Sequence, residues 1–195
     1  MFDRAARRRL DPLLDRWAER CTALGLTANA VTLIGFGLGL LAMLFIAAGH
    51  DLLGLVLLLV NRTADGVDGA IARRTMPTER GGYLDIVLDF ILYSGVPFAI
   101  AVGHPEHALA AAFLIFAFVG TGTSFLAFAI FNREAPRLGK AFHYLGGLTE
   151  GAETIAFFTL VLLFPSTFGV AAWIFGSLCW VTTAGRISAS MSALR

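Results

Sequence analysis

The chain has 195 residues, of which 57% are hydrophobic and 15% charged, with a formal net charge of +1 and a mean hydropathy of +0.74. A water-soluble domain carries roughly 25% charged residues, so this composition cannot cover itself with polar surface and excludes an ordinary soluble globular domain. No nucleic-acid partner is expected.

The first residues hold Arg4, Arg7, Arg8, Arg9, Arg16 and Arg20. They leave no apolar stretch of the kind a secretory signal needs. Leu10, Leu13, Leu14, Trp17, Cys21 and Leu24 recur at helical spacing, and Asp11-Pro12 has the form of a cap followed by a first-turn proline. The pattern predicts an amphipathic helix over 11–24 lying on the cytoplasmic leaflet. Residues 1–27 are therefore taken as a juxtamembrane segment.

A spanning helix needs about 20 mostly apolar residues. The windows 28–48, 52–73, 81–103, 107–131, 144–164 and 167–187 qualify. Arg73, Arg74 and Arg80, then Arg133, Arg137 and Lys140, lie at or between spans on one side, while the opposite connections contain no Lys or Arg. Lys and Arg concentrate on the cytoplasmic side. Both termini are thus expected in the cytoplasm, which requires an even number of spans. The expected fold is an all-α integral membrane protein, with residues 28–195 forming a six-helix transmembrane domain. Cys21 and Cys179 show no ligand spacing and are expected to be small hydrophobes.

The second expected span ends in Asp65-Gly66-Val67-Asp68-Gly69, and the third opens with Gly81-Gly82-Tyr83-Leu84-Asp85, followed by Asp89. Each carboxylate at membrane depth costs roughly 2.5–3.5 kcal/mol, which makes a functional role the default. Spacings of three and four put each pair on one helix face. A short loop makes the two helices antiparallel neighbours, so four carboxylates converge near the cytoplasmic side. Hard oxygen ligands without His or Cys favour Mg²⁺, Mn²⁺ or Ca²⁺ over zinc. Such a cluster can hold two ions that clamp a phosphoryl group. Gly66, Gly69, Gly81 and Gly82 would let a ligand or neighbouring helix approach the backbone. Arg73 offers a planar fork to phosphate oxygens. The structural alternative is a set of salt bridges to Arg62, Arg73 and Arg74.

The run Asp65-x2-Asp68-Gly69-x2-Ala72-Arg73, then Gly81-x3-Asp85-x3-Asp89, closely resembles the signature of CDP-alcohol phosphotransferases. The spacer from Arg73 to Gly81 is one residue shorter than that family's usual one. Thr27-Ala28-Asn29-Ala30-Val31-Thr32 resembles the family's first-span nucleotide element, with Ala28 where the family has proline. The resemblance implies an amphipathic helix followed by six spans, usually in a homodimer, in a bacterial inner membrane with the active site facing the cytoplasm. It implies transfer of a substituted phosphate, a phosphatidyl group from CDP-diacylglycerol, to a small alcohol with release of CMP, in phospholipid biosynthesis. Asp65, Asp68, Asp85 and Asp89 would bind Mg²⁺ or Mn²⁺ as two ions. Asp89 would also be the catalytic base. Asn29, Thr32, Gly69, Ala72, Arg73 and Gly81 would bind the nucleotide and diphosphate. Asn29 and Thr32 could equally be capping and packing residues.

Glu150 and Glu153 share one face of the fifth expected span, two to three turns from its cytoplasmic end. Arg186 reaches the same level from the sixth, and Lys140 with His143 sits at the mouth. Lys140, Glu150, Glu153 and Arg186 are thus candidates for acceptor binding, or the glutamates pair with Arg62 or Arg186 and hold helices together. An intramembrane prenyltransferase also uses aspartates on a diphosphate but needs more helices and more widely separated motifs. An ion or proton transporter would need acidic groups along the whole path. The pairs Gly35-x3-Gly39 and Gly147-x3-Gly151 permit close helix contacts and weakly favour a dimer.

Overall fold

The computed structural model describes residues 2–131 and 147–194, with side chains from residue 11 onward. Lys140 and His143, proposed for the mouth of the acceptor site, lie outside the described residues. Those described form α1 (Phe2–Ala23), α2 (Ala28–Ala47), α3 (Asp51–Thr75), α4 (Glu79–Gly103), α5 (Ala108–Phe131), α6 (Gly151–Leu163) and α7 (Phe168–Ala193). Single 3₁₀ turns at Pro105–His107 and Pro165–Thr167 lead into α5 and α7. No strand occurs among the described residues.

Among the described residues, four segments are long and apolar enough to cross a membrane: Ala28–Ala47, Glu79–Gly103, Pro105–Phe131 and Pro165–Ala193. Helix α3 has 25 residues, which at 1.5 Å per residue is ample length. It falls short in composition because it carries Asn61, Arg62, Asp65, Asp68, Arg73 and Arg74. Helix α6 is apolar but has only 13 residues. The outer surface is rich in large apolar side chains, among them Leu44, Phe98, Leu109, Phe116 and Val170, as a lipid-facing surface requires.

The core lies among α2, α3, α4, α5, α6 and α7. Phe158, Phe168, Val96, Leu114 and Cys179 are fully enclosed there, and Phe157 stacks on Phe175 at 4.5 Å between centroids. A second cluster seats α1 on α2 and α3. Ala18 is completely buried against Val31, Val67, Ala70 and Ile71, with Leu14 and Cys21 packed beside it. Both cysteines are free.

Three expectations are corrected. Helix α1 begins at Phe2 and runs through Pro12, so Pro12 is not a first-turn residue. The Ala, Arg and Leu residues preceding it favour helix strongly enough to outweigh the one bond a proline removes. Helix α6 begins at Gly151 rather than 144, because Glu150 and Glu153 close a reciprocal capping box at that point. The glycine pairs do not mark a dimer face. A Cβ on Gly35 would lie 2.9 Å from Ala64 Cβ, and one on Gly39 would strike Leu92, so both face neighbours within the chain. Gly147 lies outside α6 and meets Thr182.

Candidate active site

The inward end of the site is built where α3 finishes and α4 starts. Residues 76–78 connect them, and Thr78 caps α4 by accepting a hydrogen bond from Gly81 N at 3.1 Å. The tight turn keeps the helices adjacent and brings Asp65 and Asp68 of α3 opposite Asp85 of α4. One carboxylate oxygen from each lies within 4.8 Å of the other two. Asp68 is the most enclosed, 5% exposed, and its Oδ2 lies 2.5 Å from Thr32 Oγ1 of α2.

Asp89 is not among the three whose carboxylate oxygens lie within 4.8 Å of one another. It lines the same narrow crevice as the other three, but its Oδ1 receives a hydrogen bond from Arg62 Nη1 at 2.7 Å. Arg62 Nη1 is farther from Asp65 Oδ2, at 3.9 Å. A guanidinium buried beside carboxylates takes the partner that offers the shortest charge-assisted bond. Arg62 Nε also donates to Asn61 Oδ1 at 2.7 Å. Asn61 Nδ2 donates in turn to the Gly35 carbonyl at 2.8 Å. The salt-bridge alternative therefore describes Asp89 closely and Asp65 at longer range; none of the ion pairs found among the described residues reaches Asp68 or Asp85. Arg74 faces away and pairs with Glu19 of α1 at 2.7 Å.

A cavity of about 370 Å³ opens beside the carboxylates. Asn29, Thr32, Gly69, Ala72 and Gly81 all line it, together with Asp68 and Asp85. These five were expected at the nucleotide, and the fold gathers them around one space. Gly81 has a steric reason to be glycine: a Cβ there would lie 3.0 Å from Asn29 Oδ1 and 3.1 Å from Thr78 Oγ1. Arg73 is exposed and does not line the cavity. Its Nη1 folds back over Gly69, 3.4 Å from where a Cβ would be, which places the guanidinium beside the cavity. The α2 cap is Thr27, accepting from Ala30 N, so neither Asn29 nor Thr32 is needed for capping. Gly66 admits Leu14 of α1, whose Cδ atoms would lie 3.0 Å from its Cβ; it serves packing rather than a ligand.

A second cavity, about 190 Å³, lies among α4, α5, α6 and α7 and is lined by Tyr93, Glu150 and Arg186 among others. Arg186 Nη1 donates to the Thr121 carbonyl at 3.1 Å, and its guanidinium lies 5.7 Å from the Phe125 ring centroid. Glu150 is the N-cap of α6, with Oε1 accepting from Gly147 N at 3.0 Å. Glu153 Oε2 accepts from Glu150 N at 3.2 Å. The glutamates therefore stand at the start of α6, not turns within it. Glu153 does not line this cavity.

The residue missed from the sequence is Asn61, which is 2% exposed and ties Arg62 to α2. Its signal was an amide beside an arginine in an otherwise apolar run.

A family model for CDP-alcohol phosphatidyltransferase matches residues 25–185. The chain belongs to the CDP-alcohol phosphatidyltransferase family. As a member it is an enzyme, a transferase of substituted phosphate groups, which sets aside the prenyltransferase and transporter readings. The chain is 48% identical over 193 residues to the inner membrane protein YnjF of Escherichia coli, covering 96% of this chain and 94% of that one. It is 35% identical over 91 residues to an archaetidylinositol phosphate synthase of Pyrococcus horikoshii, about half of each chain at 46% and 48%. Among solved structures it resembles a Mycobacterium tuberculosis phosphatidylinositol phosphate synthase with CDP-DAG bound. The TM-score is 0.68 at 20% identity, covering 92% of this chain and 94% of that one. A structure of that synthase with manganese and citrate gives a TM-score of 0.67 at 20% identity, covering 91% and 88%. At this identity the likeness establishes the shared fold.

The donor chemistry of Asp65, Asp68 and Asp85 fits a hard divalent cation. All are oxygen ligands, they face one another, and Arg62 makes its short bond to Asp89, reaching only Asp65 of the three and at 3.9 Å.

Proposed function

We propose that this CDP-alcohol phosphatidyltransferase moves a phosphatidyl group from CDP-diacylglycerol to the hydroxyl of a small alcohol and releases CMP, in phospholipid synthesis. The observation that carries the reading is the adjacency of the carboxylates to the cavity: Asp68 and Asp85 line both the crevice and the space bounded by Asn29, Gly69 and Gly81. A nucleotide in that space would hold its diphosphate against the aspartates, with Arg73 alongside. A lipid donor suits the setting, because its acyl tails lie in the bilayer while its diphosphate stays near the headgroups.

Asp65, Asp68 and Asp85 would hold Mg²⁺ or Mn²⁺, as a pair of ions, which would supply positive charge against the diphosphate and the departing CMP. Asp89 is the general base. The acceptor oxygen bonds to the phosphorus that carries diacylglycerol. The bond from that phosphorus to the bridging oxygen breaks, CMP leaves with the electron pair, and the hydroxyl proton passes to Asp89. The acceptor approaches through the cavity that Tyr93, Glu150 and Arg186 line.

In this reading six helices span the inner membrane, α3 and α6 included, with both termini and the mouth of the site in the cytoplasm. The basic-residue distribution and the similarity to an inner membrane protein support that placement. The homodimer implied by the family resemblance belongs to the same reading, and native mass spectrometry in detergent checks it.

The test is direct. Purified protein in nanodiscs is given CDP-diacylglycerol, Mg²⁺ or Mn²⁺ and a panel of amino alcohols, polyols and polyol phosphates, and CMP and lipid mass are measured. CMP release with one acceptor class, abolished by chelation and restored by metal, is the expected result. Absence of CMP with every acceptor, alongside a working control enzyme, counts against it.

A further inference from the structure

Arg62 of α3 is a cation enclosed within the fold, with its side chain 11% exposed. A buried charge is costly and needs partners. Its partners are arranged asymmetrically. Of the two carboxylates near it, Asp89 lies within a short hydrogen bond, at 2.7 Å, while Asp65 is 3.9 Å away. The guanidinium is also fixed from behind. Nε is held by Asn61 Oδ1, and Asn61 is held by the main-chain carbonyl of Gly35. The ring centroid of Tyr93, one turn beyond Asp89 on α4, lies 5.7 Å from the guanidinium carbon.

Three helices thus converge on one N–H aimed at one oxygen. A carboxylate is otherwise loose about its terminal torsion, and a general base must present a defined oxygen to the proton it takes. A bond that fixes Oδ1 leaves Oδ2 as the oxygen to present to a proton in the crevice that Asp89 lines. We propose that Arg62, anchored through Asn61 to α2, is a positioning residue that sets the orientation of Asp89 for proton transfer. The inference rests on the assignment of Asp89 as base and adds a residue outside the motif run from Asp65 to Asp89.

Arg62→Lys is the informative variant, because it keeps the charge but loses the planar fork and the Nε bond to Asn61. It is prepared in the native background and in Asp89→Asn, and Asn61→Ala serves as a second probe that leaves Arg62 intact. Turnover is read as CMP release with the acceptor found most active in the panel, and donor binding as the Kd for CDP-diacylglycerol. Melting temperature is followed for the four combinations of Arg62→Lys and Asp89→Asn. The expected result is at least a tenfold fall in kcat for Arg62→Lys and for Asn61→Ala, with donor Kd and acceptor KM within twofold of the parent. In the Asp89→Asn background the Arg62→Lys change should alter kcat by less than twofold. Retention of kcat within twofold in the native background overturns the proposal. So does an equal fall in both backgrounds, since the effect then does not pass through Asp89. If the parent protein releases no CMP, the transferase reading has failed by itself. The melting data still judge the pair: non-additive shifts support it, and additive shifts overturn it.

Discussion

Thr32 Oγ1 of α2 stands 2.5 Å from Asp68 Oδ2 of α3, and both residues line the cavity beside the carboxylates. The same hydroxyl is 3.0 Å from the Ala28 carbonyl. One proton can serve only one acceptor well, and the shorter contact to the charged oxygen should hold it. Thr32 is thus both a cavity residue and the support that orients an aspartate.

Thr32→Val removes that donor while preserving shape. Outer supports of metal ligands are typically worth about 10–100-fold in affinity. The expected outcome is a rise of that size in the Mn²⁺ concentration needed for half-maximal activity, with turnover recovered at saturating metal. Titration with Mn²⁺, followed by electron paramagnetic resonance, measures binding directly. An unchanged affinity would reassign Thr32 to the nucleotide alone.

Asp89→Asn should retain CDP-diacylglycerol binding within a few-fold and lose turnover by about 10²–10⁴, the range typical of general acid–base catalysis. Isothermal titration gives the first quantity and radiolabelled CMP release the second. Asp68→Asn should instead weaken metal binding. If both variants behaved identically in metal titrations, the division of labour between them would be wrong.

The glycines of α2 give a contrasting pair. Gly35→Ala puts a methyl group 2.9 Å from Ala64 Cβ, an overpacking expected to destabilise by about 1–3 kcal/mol. Gly37 meets nothing within 4 Å, and Gly37→Ala should be neutral or stabilise by up to about 1 kcal/mol. Thermal melting in one detergent ranks them. Equal melting temperatures would contradict the close α2–α3 contact.

Glu153→Ala opens the capping box of α6, with an expected loss of about 1 kcal/mol. Turnover per folded molecule should be unaffected, because Glu153 does not line the second cavity. A selective rise in acceptor KM without a melting shift would return Glu153 to the acceptor site.

Much of the site was legible in the chain because helical spacing decides which residues share a face. The pairs Asp65/Asp68 and Asp85/Asp89, with a short loop between them, required two adjacent acidic faces, and Asn29, Thr32, Gly69, Ala72 and Gly81 do meet around one cavity. Hydropathy windows likewise anticipated most helix limits. Where α6 begins was obscured because apolar content alone cannot distinguish a helix from the segment leading into it. The signal was present in the Glu150-x-x-Glu153 spacing ahead of an apolar run. The partner of Arg62 was not legible, since the sequence left it open among the aspartates and the glutamates Glu150 and Glu153, while tertiary packing gave the short bond to Asp89.

The contact from Asn61 Nδ2 to the Gly35 carbonyl has a consequence for how this protein can vary. Every amino acid supplies a carbonyl, so the identity at position 35 carries no record of the hydrogen bond, and substitution patterns linking 35 to 61 would report only volume. The alignment of α2 along α3 is therefore written partly in an amide side chain, beside the Thr32–Asp68 contact and the Gly35–Ala64 packing. A slip of one residue would turn α2 by about 100°, carrying Asn29 and Thr32 away from the carboxylates together. Asn61 works as an index mark between two sliding rods, keeping the nucleotide wall and the acidic wall in step.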